Sequence, residues 1–187
     1  MRWTPSGRPL EEAKRLDLAV YAAIAETPTP ALDVALSRLS RAADYSQLSI
    51  ASAVALAVAG GPRGRQAAAS GMAAVAVTAM IVNAVIKPVL RRRRPDRAGD
   101  SVPGRRVKMP ASHSFPSGHS AAAFAFATGA GSTLPWTAPP LSALAALVAY
   151  SRVHTGVHYP IDVIAGSLCG ITLAIVSNRA LDFISIG

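Results

Sequence analysis

A single cysteine, Cys169, is all the thiol chemistry available to this 187-residue chain, so no intrachain disulfide can form and no cysteine-based metal cluster can be built. It lies in an apolar run and reads as a packing residue. Aromatic residues are scarce as well, 5% of a chain that is 51% hydrophobic. Apolar bulk is therefore carried by Ala, Val, Ile and Leu, and the charges are crowded into a few short stretches. That distribution suits a polytopic membrane protein. Acidic residues are outnumbered, ten against 19 Lys and Arg, for a net charge of +9. In a soluble protein this excess would suggest nucleic acid. Beside apolar segments of near-membrane length it points to anionic lipid instead. The start MRWTPSGRPLEEAKRLD lacks an apolar core after its basic residues, so no cleavable signal is expected.

The length fits one domain, and one site is sought. Residues 45–62 and 66–86 carry no charge, and each approximately reaches the ~20 apolar residues that a bilayer requires. Ser120 to Ser151 is again uncharged, but Pro135, Pro139 and Pro140 break it into two shorter helices. A last span is expected from about Pro160 to Asn178. The expectation is an all-α, polytopic membrane bundle of about five transmembrane helices in a single domain, 1–187, with small residues favouring close packing. Ahead of it, Leu10 to Glu26 and Ala31 to Asp44 read as amphipathic interfacial helices within 1–45, with Leu16, Ala19, Val20, Ala23 and Ile24 on one face. The catalytic bundle then occupies 46–187. Loops between successive spans must alternate sides, so loops 87–119 and 152–159 share a face while 60–65, 135–140 and the tail lie opposite.

The shared face carries Lys87 with Arg94-Pro95, then Pro116-Ser117-Gly118-His119, then Ser151-Arg152 with His158 and Asp162. Phosphoryl transfer asks for such parts, because negative charge spreads over the non-bridging oxygens and must meet prearranged positive donors. Lys87, Arg94 and Arg152 can supply them, the arginines through a planar fork that matches phosphate. Ser117 can cap a helix whose N–H groups point at an anion, and Gly118 lets the phosphate come close. His119 can protonate the leaving oxygen. Asp162, one turn after His158, could hold Nδ1–H and leave Nε2 free to attack phosphorus.

Arg91, Arg92 and Arg93 read as a solvated, positive-inside flank, PSGH alone could be only a helix start, and a His-Asp pair at a helix start could be a structural cap. His113 and His154 match no motif and read as loop histidines. Four histidines on one face raise a zinc hydrolase, against which stand their spacing and the crowding of arginines. A non-enzymatic protein that grips anionic headgroups is the other alternative, although it needs no His158-Asp162 pair.

The motifs K-x6-RP, PSGH and SR-x5-H-x3-D appear in order as KPVLRRRRP, PSGH and SRVHTGVHYPID. By them the chain resembles the phosphatidic acid phosphatase type 2 superfamily, integral-membrane lipid phosphatases related to vanadium haloperoxidases. The resemblance implies a helical fold, no cofactor and no metal. It implies phosphate binding by Lys87, Arg94, Ser117, Gly118 and Arg152, with His119 as general acid, His158 as the nucleophile forming a phosphohistidine, and Asp162 as its partner. Implied substrates are a polyprenyl phosphate or pyrophosphate, or a polyprenyl-linked sugar phosphate such as decaprenylphosphoryl-5-phosphoribose of cell-wall biosynthesis. Phosphatidic acid and phosphatidylglycerol phosphate are the alternatives.

The motif face with the N-terminal segment holds sixteen of the nineteen Lys and Arg residues, leaving Arg63, Arg65 and Arg179 opposite. The positive-inside rule then places the site in a cell membrane, on the N-terminal side and facing the cytoplasm.

Overall fold

The computed structural model describes residues 8–97 and 105–186, and every regular element among them is helical. Residues 1–7 of the expected interfacial segment, with Arg2 of the charge count, and 98–104 of the basic loop lie outside the described residues. Helices α1 (Arg8–Glu26) and α2 (Pro30–Ala42) precede a tight turn, Asp44–Ser46, and α3 (Gln47–Ala59). Helix α4 (Gly61–Ile81) runs through a π-helical stretch, Val82–Ile86, into the short α5 (Lys87–Val89). After the basic loop come α6 (Gly118–Thr133), α7 (Ala138–His154) and α8 (Pro160–Ile186). The all-helical membrane fold is as the sequence indicated.

The spans themselves are less uniform than expected. Gly61–Val89 and Pro160–Ala180 are long and apolar enough to cross a membrane alone. Helices α3, α6 and α7, at 13, 16 and 17 residues, rise only about 20–26 Å, short of the ~30 Å hydrocarbon core. Helices α2 and α3 meet at a 65° bend and qualify together as one broken span. Among the described residues two helices, or three segments if the bent pair is one span, thus pass by length and composition, beside an expectation of about five. Turn residues shorten the others: Pro135 opens the turn between α6 and α7, and α3 and α4 are joined through Gly60 alone. The expected loop 60–65 is mostly the first turn of α4.

Helices α4, α6 and α8 form the centre, and their contacts are built from small side chains. Ala67, Ala74, Ala121, Ala125, Ala130 and Ala174 are fully buried. Lipid tails are as apolar as leucine, so close backbone approach rather than the hydrophobic effect binds such helices. Gly166 and Gly170 of α8 show how close: a Cβ there would come within 2.4 Å of the Ser117 carbonyl oxygen and 2.1 Å of that of Ala121. This contact sets the start of α6 against the start of α8, and the Ser117 N–H donates to the Asp162 carbonyl at 2.8 Å.

Helix α1 turns its apolar face away from the bundle. Leu10 and Leu16 are 78% and 67% exposed, whereas Asp17 is 5% exposed. Of the predicted face, Ala19, Val20 and Ala23 are also exposed and Ile24 half-buried. Against a bilayer the leucines need no protein partner, while an acid must find one. Asp33 of α2 does the same from the next helix. Its Oδ1 accepts from Arg105 Nε at 2.9 Å and pairs with His154 Nε2 at 2.8 Å. His154, expected as a loop histidine without a role, is the buried last residue of α7. The misreading has a physical cause, since its partner lies 121 positions away.

Truncating one member of a buried ionic cluster leaves the others uncompensated and costs about 3–5 kcal/mol. Arg105 also donates to the carbonyls of Ile24, Ala25 and Thr27, so Asp33→Ala is expected near the low end, about 3 kcal/mol. Unfolding in detergent, compared with the milder Asp33→Asn, measures it. A loss below about 1 kcal/mol, the worth of one ordinary hydrogen bond, would mean that the cluster does not fasten α2 to α7.

Candidate active site

The end of the bundle where α5 ends and α6 and α8 begin gathers all eight residues singled out in the sequence. Pro160 opens α8 as a residue without an N–H suits a first helical position, and His158 stands just ahead of it, 1% exposed. Arg94 Nη1 donates to His158 Nε2 at 3.1 Å. A guanidinium can only donate, so Nε2 carries the lone pair and the proton lies on Nδ1. That nitrogen is 3.4 Å from Ser114 Oγ and 3.6 Å from Asp162 Oδ2. The direct His-Asp hydrogen bond expected from the sequence is therefore too long. Ser114 bridges the pair, donating to Asp162 Oδ2.

Asp162 is held on every side. Its Oδ2 also accepts the Tyr159 N–H at 3.0 Å, and its Oδ1 the Arg92 guanidinium at 2.7 Å. Arg92 reaches on to Asp17 of α1 and stacks over the Tyr159 ring at 4.2 Å. Asp17 in turn accepts the N–H of Ile161 at 2.8 Å. Arg92, read from the sequence as a solvated flank, is thus an ion-pair bridge between the first helix and the last. Arg91 and Arg93 are exposed, as expected.

Three cations, Arg94, Arg152 and Lys87, gather at the site. Arg94 is fixed by Ser112 O at 2.9 Å and Val157 O at 3.0 Å, besides Ser112 Oγ and His113 O. Burial and the neighbouring Arg152 lower its pKa to about 10, which leaves it charged at neutral pH. Arg152 is 1% exposed. Its Nη1 donates to Ser40 O at 2.9 Å and Ser40 Oγ at 2.7 Å, while Nε and Nη2 are buried without a partner among the described residues. Lys87 follows the π-helical stretch. Pro88 cannot donate to the ladder and its ring crowds the carbonyl one turn back, a conflict that the wider turn relieves. The Lys87 ammonium lies over Gly118, where a Cβ would come within 3.3 Å of Nζ.

Ser117 caps α6, accepting the Ser120 N–H at 3.3 Å. Its N–H is committed to Asp162 and its Oγ accepts from Ser120 N and Oγ, so this helix start can offer an anion the Ser117 O–H proton and the N–H groups of Gly118 and His119, which lie outside the intrahelical ladder. His119 Nε2 meets Asp44 Oδ1 at 2.9 Å. Asp44, Ser114, Arg92 and Asp17 were all missed in the sequence. An acid inside an otherwise apolar segment is the signal that could have found two of them. His113 is exposed, and among the described residues no three His, Cys, Asp or Glu side chains are grouped to hold a metal ion.

Burial is the main cause that lowers the His158 pKa to about 4 from an ordinary 6.5; Asp162 opposes it, and the charges of Arg94 and Arg152 add to it. A lowered pKa keeps the imidazole neutral, with its Nε2 lone pair available, as pH falls through 6.5 to about 4. If His158 is a nucleophile, kcat/KM corrected for substrate ionisation should hold through pH 6.5 and fall only near pH 4. A limb at pH 6.5 or above would show that another group controls it.

Three comparisons bear on this site. Residues 68–184 match the sequence profile described as the PAP2 superfamily. The decaprenylphosphoryl-5-phosphoribose phosphatase of Mycolicibacterium smegmatis is 36% identical over 149 residues, 80% of this chain and 78% of that protein. The undecaprenyl-diphosphatase of Sulfolobus acidocaldarius is 39% identical over 106 residues, 54% of this chain and 49% of that protein. The chain thus spans about half the length of the first curated relatives it matches, 49% of this diphosphatase and 54% of the Mycobacterium tuberculosis phosphatases. Among solved structures, Aquifex aeolicus LpxE superposes with a TM-score of 0.69 at 26% identity, covering 88% of this chain and 95% of that one.

Proposed function

We propose that this chain, which belongs to the PAP2 superfamily, removes phosphate from a membrane lipid by a metal-independent route through a phosphohistidine. The observation that carries the reading is the environment of His158. Its Nε2 faces the Arg94 guanidinium, while Ser114 and Asp162 close its Nδ1 side. The incoming phosphate takes over the Arg94 donor and meets Arg152, Lys87, the Ser117 hydroxyl and the N–H groups of Gly118 and His119. Nε2 then forms a bond to phosphorus as the bond to the lipid oxygen breaks, and His119 gives that oxygen its proton. Water next attacks phosphorus, His119 takes a proton back, and the P–N bond breaks to release inorganic phosphate.

The substrate keeps its chain in the bilayer and offers its phosphate at the bundle end. A polyprenyl phosphate, pyrophosphate or sugar phosphate, such as decaprenylphosphoryl-5-phosphoribose, is supported by the substrates named in the two relatives. The charge bias, sixteen of nineteen Lys and Arg on the N-terminal side, supports a cytoplasmic site in the cell membrane.

Phosphate release by the purified protein in detergent with excess EDTA tests the reading. The panel is prenyl phosphate, prenyl pyrophosphate, a prenyl sugar phosphate, phosphatidate and phosphatidylglycerol phosphate. Chelator-resistant release, fastest on a prenyl substrate, is expected. Release abolished by EDTA would return the zinc alternative, preference for a glycerolipid would overturn the substrate, and a folded protein releasing nothing would point to headgroup binding alone.

A further inference from the structure

The geometry points to Asp44 as the positioning residue of the general acid: its carboxylate holds the His119 imidazole oriented among cations. This rests on the phosphatase reading above.

The groups facing His119 are Lys87 from the end of α5, Arg94 from the basic loop, Arg152 from α7, and His158. Burial first, and then each of these groups, disfavours an imidazolium; a bound phosphate anion offsets the cations and lets the ring, already oriented by Asp44, carry the proton that a general acid gives up. The carboxylate in contact with the ring is Asp44, with Oδ1 2.9 Å from Nε2. It is a weaker partner for Arg152, at 3.4 Å, because that guanidinium is already anchored on Ser40. With Nε2–H given to Asp44, the proton available to the leaving oxygen is the one on Nδ1.

The backbone is arranged to deliver this carboxylate. Asp44 opens the turn at which α2 and α3 bend by 65°. The next two residues, Tyr45 and Ser46, have φ of 53° and 58°. Two successive non-glycine residues in the left-handed region are uncommon, and such conformations persist where the surroundings over-determine them. Tyr45 is 87% exposed, so its own packing does not supply that reason.

Two substrates separate the role from a structural one. Prenyl phosphate releases an alcohol oxygen that needs a proton, whereas p-nitrophenyl phosphate releases a stable phenolate that does not. Asp44→Asn should lower kcat on prenyl phosphate by about 10- to 100-fold, a large part of what a general acid supplies. Its KM should stay nearly constant, and the aryl rate should change by less than about threefold. Asp44→Asn combined with His119→Ala should lose no more than His119→Ala alone, because the two act as one unit. Asp44→Glu should recover part of the alkyl rate. Equal losses on both substrates, or losses that multiply in the double variant, would overturn the proposal, as would an unimpaired Asp44→Asn. A wild type inert on both phosphates would remove the phosphatase reading itself, a failure visible before any variant is made.

Discussion

His158→Ala is expected to lower phosphate release by roughly 10⁴- to 10⁶-fold, the scale on which covalent catalysis collapses when its nucleophile is removed. The loss should be chemical rather than structural. Arg94, which touches the imidazole, keeps its bonds to Ser112 O, Ser112 Oγ, Val157 O and His113 O. Ser114 keeps its bond to Asp162, and Asp162 its ion pair with Arg92. The cation cluster that would hold the lipid phosphate therefore survives, and the variant should still retain substrate in a micelle-binding assay. Single-turnover phosphate release gives the rate. A variant within about tenfold of wild type, the effect of a lost contact worth about 1.4 kcal/mol, would remove His158 from the nucleophile's place.

The membership of the candidate site was legible in the sequence because it is written in short motifs. Counting loops put Lys87, Arg94, Ser117, Gly118, His119, Arg152, His158 and Asp162 at one end, and the structure brings them together there. What the sequence concealed is how they are held. The residues that fix them come from far along the chain: Asp17 is 75 positions from Arg92, and Asp44 is 75 from His119. No local spacing records such pairs. The apolar stripe of α1 misled for a related reason. A stripe marks the packed face of a helix in water, but beside lipid it marks the outer face, and the informative residue becomes the isolated acid. Asp17, Asp33 and Asp44 each interrupt an N-terminal helix or turn and each answers a basic or imidazole group of the later chain. Ten acids against 19 Lys and Arg should have prompted the question of what every acid near a span was neutralising.

Span lengths were hidden differently. Hydropathy fixes where charge is absent, but not where a helix stops. The uncharged run 45–62 begins within the bend at Asp44–Ser46 and contains the turn at Gly60, so α3 is shorter than its apolar segment. Proline breaks in 120–151 were visible, and the two helices they leave were correctly separated.

Arg152→Lys should cost about 10²- to 10³-fold in kcat/KM, the usual effect of removing a preorganised donor to developing charge. The guanidinium is already desolvated at 1% exposure, and Nη1 is bound by Ser40 O and Oγ. The opposite edge, Nε with Nη2, is buried and without a partner among the described residues. Those two N–H groups form the side-on fork that takes two phosphate oxygens at once. An ammonium on a lysine stem can replace the bond to Ser40 or approach one phosphate oxygen, and its point charge cannot reproduce the fork. Lysine preserves the net charge, so a purely electrostatic attraction would lose only a few-fold. Ser40→Ala serves as the control for anchoring. It removes one of the two Ser40 contacts and leaves the carbonyl, so it should cost less than about tenfold, a loss of one hydrogen bond of about 1 kcal/mol. If Arg152→Lys fell no further than Ser40→Ala, the free edge of Arg152 would not be a phosphate fork, and the buried donors would have to be answered by another ligand.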